Sequence, residues 1–262
     1  MSAPPSRTLL LIGRAWRLEI RQLTTSKLYL ITAVLIPLVL ASLAHFMFEG
    51  TNRDSGPLQI ALSAGLMGMW SSTLLGSGNA INRLRFMKVL EPLVGSPTST
   101  FVFALPFALA TASMGLYSLL ATLLWSTLFF DMPLHLADPG LFVLAVLVTV
   151  AALGILGLLL ASAFILYPTA QSLANVMEYP VWMLSGVLVP VTALPGPLQE
   201  VSRLLAPSWG VKAVLSSADG SPGALRAIGL CALLSAVYAV ITLVLLRRFE
   251  WLARSSGTLA LQ

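Results

Sequence analysis

The chain has 262 residues, of which 57% are hydrophobic and 10% charged. A soluble domain carries about 25% charged residues, so a soluble globular fold is excluded and an all-α integral membrane fold is expected. A formal charge of +5 invites a nucleic-acid reading, but the cations stand between apolar runs, where they set topology instead.

Residues 1–27 place Arg7, Arg14, Arg17, Arg21 and Lys27 among leucines, Ile12, Trp16 and Ile20. Arg14, Arg17 and Arg21 fall at helical spacing, which predicts an amphipathic helix on the inner leaflet with Trp16 near the interface. A solvated basic arm is the plainer alternative. A signal peptide does not fit: the basic region is too long, no small-residue cleavage site follows, and the next apolar run is long enough to cross.

The first crossing is expected at 28–48, with Lys27 as its inner anchor and Pro37 as a kink; about 20 apolar residues suffice for the hydrocarbon core. The polar turn EGTNRDSGP separates it from a second crossing at 58–80. Gly65, Gly68, Gly76 and Gly78 in that run permit close helix packing. Residues 79–100 return to the basic side with Arg83, Arg85 and Lys88. Leu84, Met87, Leu90 and Leu93 form an apolar stripe beside Glu91, which predicts a short cytoplasmic helix ended by Gly95-Ser96-Pro97. A positive-inside anchor alone explains the cations but not the stripe.

A third crossing is expected at 101–130, tilted or kinked at Pro106. Asp131, His135 and Asp138 follow in a Pro-Gly turn. Such residues are more often solvated turn residues than a metal site, so no metal is expected. The fourth crossing is 141–166, and the fifth, after an uncharged connection, 173–189. Its run through Trp182, Met183 and Leu184 loosens at Ser185-Gly186 and is broken by Pro190, Pro195 and Pro197, which a helix cannot pass without losing backbone bonds. Past the break, 198–205 has amphipathic helical spacing, with Pro207 as a stop and Trp209 as an interfacial aromatic. Residues 190–222 thus read as an external segment. The sixth crossing is 223–246, closed by Arg247, Arg248 and Arg254.

Charge placement orients the spans. With the amino end inside, eleven of fifteen cations are cytoplasmic, in the arm, the 79–100 loop and the tail; Arg53, Arg203, Lys212 and Arg226 are external. Six crossings put both termini inside.

These features resemble the membrane subunit of ABC-2 type transporters, the bacterial drug, polysaccharide and lipid exporters. Three places carry the likeness. The amino-terminal helix looks like the family's connector helix, and Glu91-Pro-Leu-Val-Gly-Ser-Pro97 looks like the end of its inner loop. Leu184-Ser185-Gly186 with Pro190, Leu194-Pro195 and Pro207 is similar to the fifth-span signature, a short helix followed by an external re-entrant hairpin. The family's Arg-Glu and Gly-Thr elements are not evident before Glu91, where Arg83-Leu-Arg85-Phe-Met-Lys88 stands.

The resemblance implies a single transmembrane domain over 1–262, in the bacterial inner membrane. It implies two membrane subunits, as a homodimer or heterodimer, with two cytoplasmic ATPases. The connector helix (Arg14, Arg17, Arg21) and the inner loop (Arg83, Arg85, Lys88, Glu91) would rest on those ATPases. No G-x-x-x-x-G-K-[ST] is present, so ATP and Mg would be used by the partner and this chain would bind no cofactor and catalyse nothing. Phe46, Met67, Trp70 and Trp182 would suit an amphipathic or lipid-like substrate if they share a cavity, although packing or lipid-facing roles are the commoner fate of such residues. Glu178 reaches interfacial water at the inner end of a short helix; placed deep, it would mark a cavity. The rival is a secondary transporter or channel not coupled to ATP, for which Glu178 is the one candidate coupling group.

Overall fold

The computed structural model describes residues 5–25, 27–49, 57–86, 100–131, 135–166 and 179–256. Among these residues all the regular structure is helical, without a strand. In order come α1 (Pro5–Thr25), α2 (Lys27–Glu49), α3 (Pro57–Phe86), α4 (Thr100–Phe130) and α5 (Pro139–Leu166). A helical stretch at 179–184, a 3₁₀ turn (Val191–Ala193), α6 (Gly196–Leu204), α7 (Ala206–Asp219) and α8 (Ala224–Ser256) complete the order.

Leu105–Phe130, Pro139–Leu160 and Ala224–Arg248 are long and apolar enough to cross a membrane. Much of their surface faces outward: Leu120, Leu124, Leu128, Val143, Leu147, Val240 and Val244 are all exposed. In water so large an apolar surface would be a liability; against lipid it is the expected outer face. The chain is a multi-pass membrane protein.

Two helices run past the spans expected from hydropathy. α3 continues through 81–86, part of the stretch expected to form a separate cytoplasmic helix, because no Pro interrupts Ile81-Asn-Arg-Leu-Arg-Phe86. Its 30 residues measure about 45 Å, longer than an apolar core of about 30 Å. α8 likewise continues to Ser256 and carries Arg247, Arg248 and Arg254 on its last turns.

Glycines at the α3–α4 contact set how closely the backbones approach. A Cβ on Gly65 would lie 2.5 Å from Leu119 Cδ1, and one on Gly68 would strike Ser118 Oγ. From the other side, a Cβ on Gly115 would strike Thr73 Oγ1 and lie 3.1 Å from Met69 O. Leu62, Met69 and Leu119 pack there without exposure, and the same core extends through Leu153 on α5 to Val214 on α7. Between membrane helices, close packing of this kind replaces the hydrophobic effect as the cohesive force.

Many buried hydroxyls are satisfied within their own helices. Thr122 Oγ1 donates to Ser118 O (2.9 Å), Thr149 Oγ1 to Ala145 O (2.6 Å) and Ser235 Oγ to Cys231 O (2.6 Å), as a medium without water demands. α1 packs along α4, where Trp16 Nε1 donates to Ser113 Oγ at 3.2 Å, within the candidate span Leu105–Phe130. Glu19 and Leu23 are buried on that side, Glu19 with a polar partner, while Arg14, Arg17 and Arg21 remain exposed.

Candidate functional site at the broken segment

The helix entering this segment ends at Leu184, not at Val189 as expected from hydropathy. Ser185 N donates to Val181 O (2.8 Å), Gly186 N reaches Met183 O (3.3 Å), and Gly186 then takes φ +82°. That left-handed conformation suits glycine, which has no Cβ to oppose it.

The prolines beyond it start helices rather than stop them. Pro190 precedes the 3₁₀ turn, Pro195 precedes α6, and Pro197 and Pro207 occupy the first turns of α6 and α7. Proline is suited there because its missing N–H would have had no partner and its φ is already helical. Pro207, expected as a stop, opens the 14-residue α7.

α7 packs on α5 and α8. At its far end Ala137 N donates to Ala218 O (3.0 Å), tying it to the α4–α5 loop. Near its start a Cβ on Gly210 would lie 2.8 Å from Thr149, ten residues into α5 and therefore about 15 Å from that loop. Ala206 meets Ala152 and Cys231 there, all without exposure. The junction of α6 and α7 is thus set well inside the bundle.

A helix ending among apolar neighbours leaves carbonyls that must find donors. Leu184 O accepts Ser202 Oγ at 2.6 Å and Ser208 Oγ at 3.0 Å, and the two hydroxyls are 3.1 Å apart. Ser185 Oγ donates to Trp182 O (3.0 Å). At the end of α6, Trp209 Nε1 donates to Arg203 O (2.9 Å) and Tyr238 Oη to Leu204 O (2.7 Å). Gln199 Nε2 donates to Leu194 O (2.7 Å). Six side chains, five of them from α6, α7 and α8, therefore clasp the ends of the broken segment. A Tyr238→Phe chain leaves the Leu204 carbonyl without this donor and is expected to lose about 1 kcal/mol, read as a melting temperature lower by a few degrees in detergent.

A cavity of about 400 Å³ lies between the clasp and the start of α3. Gln59 and Ser63 face it from α3; Ser185, Gly186, Pro190, Ser202, Ser208 and Lys212 face it from the broken segment. Its lining mixes hydroxyls, the amides of Gln59 and Gln199 and the cations of Arg203 and Lys212 with Leu188, Val211 and Leu215, a surface that suits an amphipathic molecule.

The other sequence-derived residues fall elsewhere. Met67, Trp70 and Trp182 belong to one buried core cluster, and the indole N–H groups of Trp70 and Trp182 have no acceptor. Phe46 is 68% exposed on α2, edge-on to Phe130, so it shares no cavity with those three. Pro195 and Pro207 do not line the cavity. Arg83 and Arg85 sit in the last turns of α3; Lys88, Glu91 and Glu178 lie outside the described residues. Asp138 has a structural task, its Oδ1 accepting Leu141 N (3.0 Å) at the start of α5.

Sequence reasoning did not single out Gln199, Ser202, Ser208 or Tyr238. The available signal was a serine on each side of the α6–α7 junction, in a stretch too apolar to leave helix ends to water.

No curated protein matches the chain. The family model described as ABC-2 type transporter matches residues 9–218, from within α1 to the last turn of α7 and over all but the last four residues of the 190–222 segment, and the chain belongs to that family.

Proposed function

We propose that this chain is the permease subunit of an ATP-driven exporter that moves an amphipathic or lipid-like molecule, a drug or a lipid, out of the cell. The observation that carries the reading is the family match across both the amino-terminal helix and the broken segment, the two regions an externally driven gate requires. On this reading the chain lies in the bacterial inner membrane with six spans, a re-entrant segment at 190–222 and both termini in the cytoplasm. It pairs with a second membrane subunit, identical or related. Two separate ATPase subunits hydrolyse ATP with Mg and bear on the exposed Arg14, Arg17 and Arg21 and on the Arg83–Glu91 region. Their closure is transmitted to the contact between the membrane halves, with Met67, Trp70, Trp182, Glu178 and Phe46 in elements bordering the route. The placement of α6 and α7 and the polar-apolar cavity beside them support a gate there.

The test is co-purification with an ATPase encoded beside it, followed by ATP-dependent efflux of an amphipathic dye from proteoliposomes. ATP hydrolysis and efflux that require both chains are expected. Efflux driven by an ion gradient without any ATPase would instead establish the secondary-transport rival.

A further inference from the structure

A second cavity, of about 570 Å³, meets the first along Arg203, Trp209 and Lys212, which line both, and continues past Gly223 to Arg226 and Leu230. Among the described residues every charged side chain lining either cavity is a cation, Arg203, Lys212 or Arg226, and no carboxylate lines them. Arg203 is paired with Glu200 at 2.6 Å. Lys212 stands 5.4 Å from the centre of the Trp209 ring, and among the described residues neither Lys212 nor Arg226 has a carboxylate partner. Lys212 is seven residues before the end of α7, about 10 Å along the helix from the loop. A cation at membrane depth is costly unless hydrated or matched by an anion.

Below Arg226 the same face of α8 continues as Leu233, Val237, Val240 and Val244, at helical intervals and between 47% and 61% exposed. A cationic cleft at the head of an outward-facing apolar stripe is complementary to a molecule with an anionic head and a hydrocarbon tail. A soluble phosphate would use the cleft alone and make no contact with the stripe.

We infer that the cleft between α6, α7 and the start of α8 binds an anionic phospholipid of the surrounding leaflet. Its phosphate lies between Lys212 and Arg226, within reach of Arg203, and its acyl chains lie along α8. Charge-assisted hydrogen bonds to phosphate supply the specificity, and Trp209 supplies the wall at headgroup level. The inference rests on the chain spanning a membrane and not on its being driven by ATP.

The experiment is retention of phosphatidylglycerol by the detergent-purified chain, counted by native mass spectrometry during a lipid titration, without nucleotide or ATPase. A Lys212→Gln/Arg226→Gln chain should bind the lipid about tenfold more weakly than wild type, from the loss of two charged contacts. Lys212→Arg/Arg226→Lys should restore binding. Arg247→Gln/Arg248→Gln, which removes the same charge from the opposite end of α8, should leave the site's occupancy unchanged. Equal binding by wild type and the Lys212→Gln/Arg226→Gln chain would overturn the inference. Displacement of the lipid by millimolar inorganic phosphate would reassign the cleft to a soluble anion and overturn the lipid assignment.

Discussion

A Gly115→Leu chain is expected to be destabilised in detergent by about 3 kcal/mol, the upper end of the usual range for overpacking. A Cβ at this position already meets three atoms of α3: Thr73 Oγ1, Met69 Cγ at 3.1 Å and Met69 O at 3.1 Å. The last of these is main chain and cannot rotate away. Thr73 and Met69 are themselves without exposure, so their side chains have no adjacent space to enter. Four added carbons must therefore separate α3 from α4, the contact on which Leu62, Leu119 and the rest of the core converge. A stability of 5–15 kcal/mol is typical of folded proteins, about 3 being a large share of it. The comparison is Gly229→Leu on α8, where a Cβ meets nothing within 4 Å and the change should stay within about 0.5 kcal/mol. Melting temperature and size-exclusion profile read both. Equal melting of Gly115→Leu and wild type would show that the α3–α4 contact does not limit stability.

That contact also marks the boundary of what the sequence made legible. Apolar runs located α2, α4, α5 and α8, and the glycines of α3 announced close packing. Which way each helix faces was not readable. Residues 61–70 of α3 are buried without a break, so the run carries no polar stripe to set an inner face against an outer one. Met67, Trp70 and Trp182 consequently read as pathway candidates for which packing is the commoner fate, and the fold sets all three in the core. Phe46 has the same chemistry and faces outward.

The broken segment was legible in outline and not in mechanism. Gly186 and the prolines announced an interruption because their backbone preferences are local. What a proline does at the interruption depends on its position in the turn, so Pro207 read as a stop although it opens α7. The donors that make the interruption tolerable act over 18 residues from Ser202 to Leu184, 24 from Ser208 and 34 from Tyr238 to Leu204. No local pattern links such pairs; only the return of α7 into the bundle brings them together.

The Leu184 carbonyl yields the second large expected effect. Ser202→Ala alone, or Ser208→Ala alone, leaves one hydroxyl on that carbonyl, at 3.0 or 2.6 Å, and should cost about 1 kcal/mol or less. The double variant leaves it without either. Ser202 and Ser208 are 1% and 8% exposed, so methyl groups there admit little water in compensation. An unpaired buried carbonyl costs about 1–3 kcal/mol beyond the bonds lost, so the double variant should exceed the sum of the singles. The loss is local: it frees α6 and the start of α7 from the 179–184 helix while leaving the α3–α4 core untouched. On the proposed function, an ATP-driven gate that depends on this clasp should then lose transport at least about tenfold with normal expression and assembly, a barrier change of about 1.4 kcal/mol. Ser202→Thr, which keeps the hydroxyl, should transport at near the wild-type rate. Efflux from proteoliposomes and melting of the same preparations separate the two readouts. A double variant that transports at the wild-type rate would show that the clasp is scaffolding and the gate lies elsewhere.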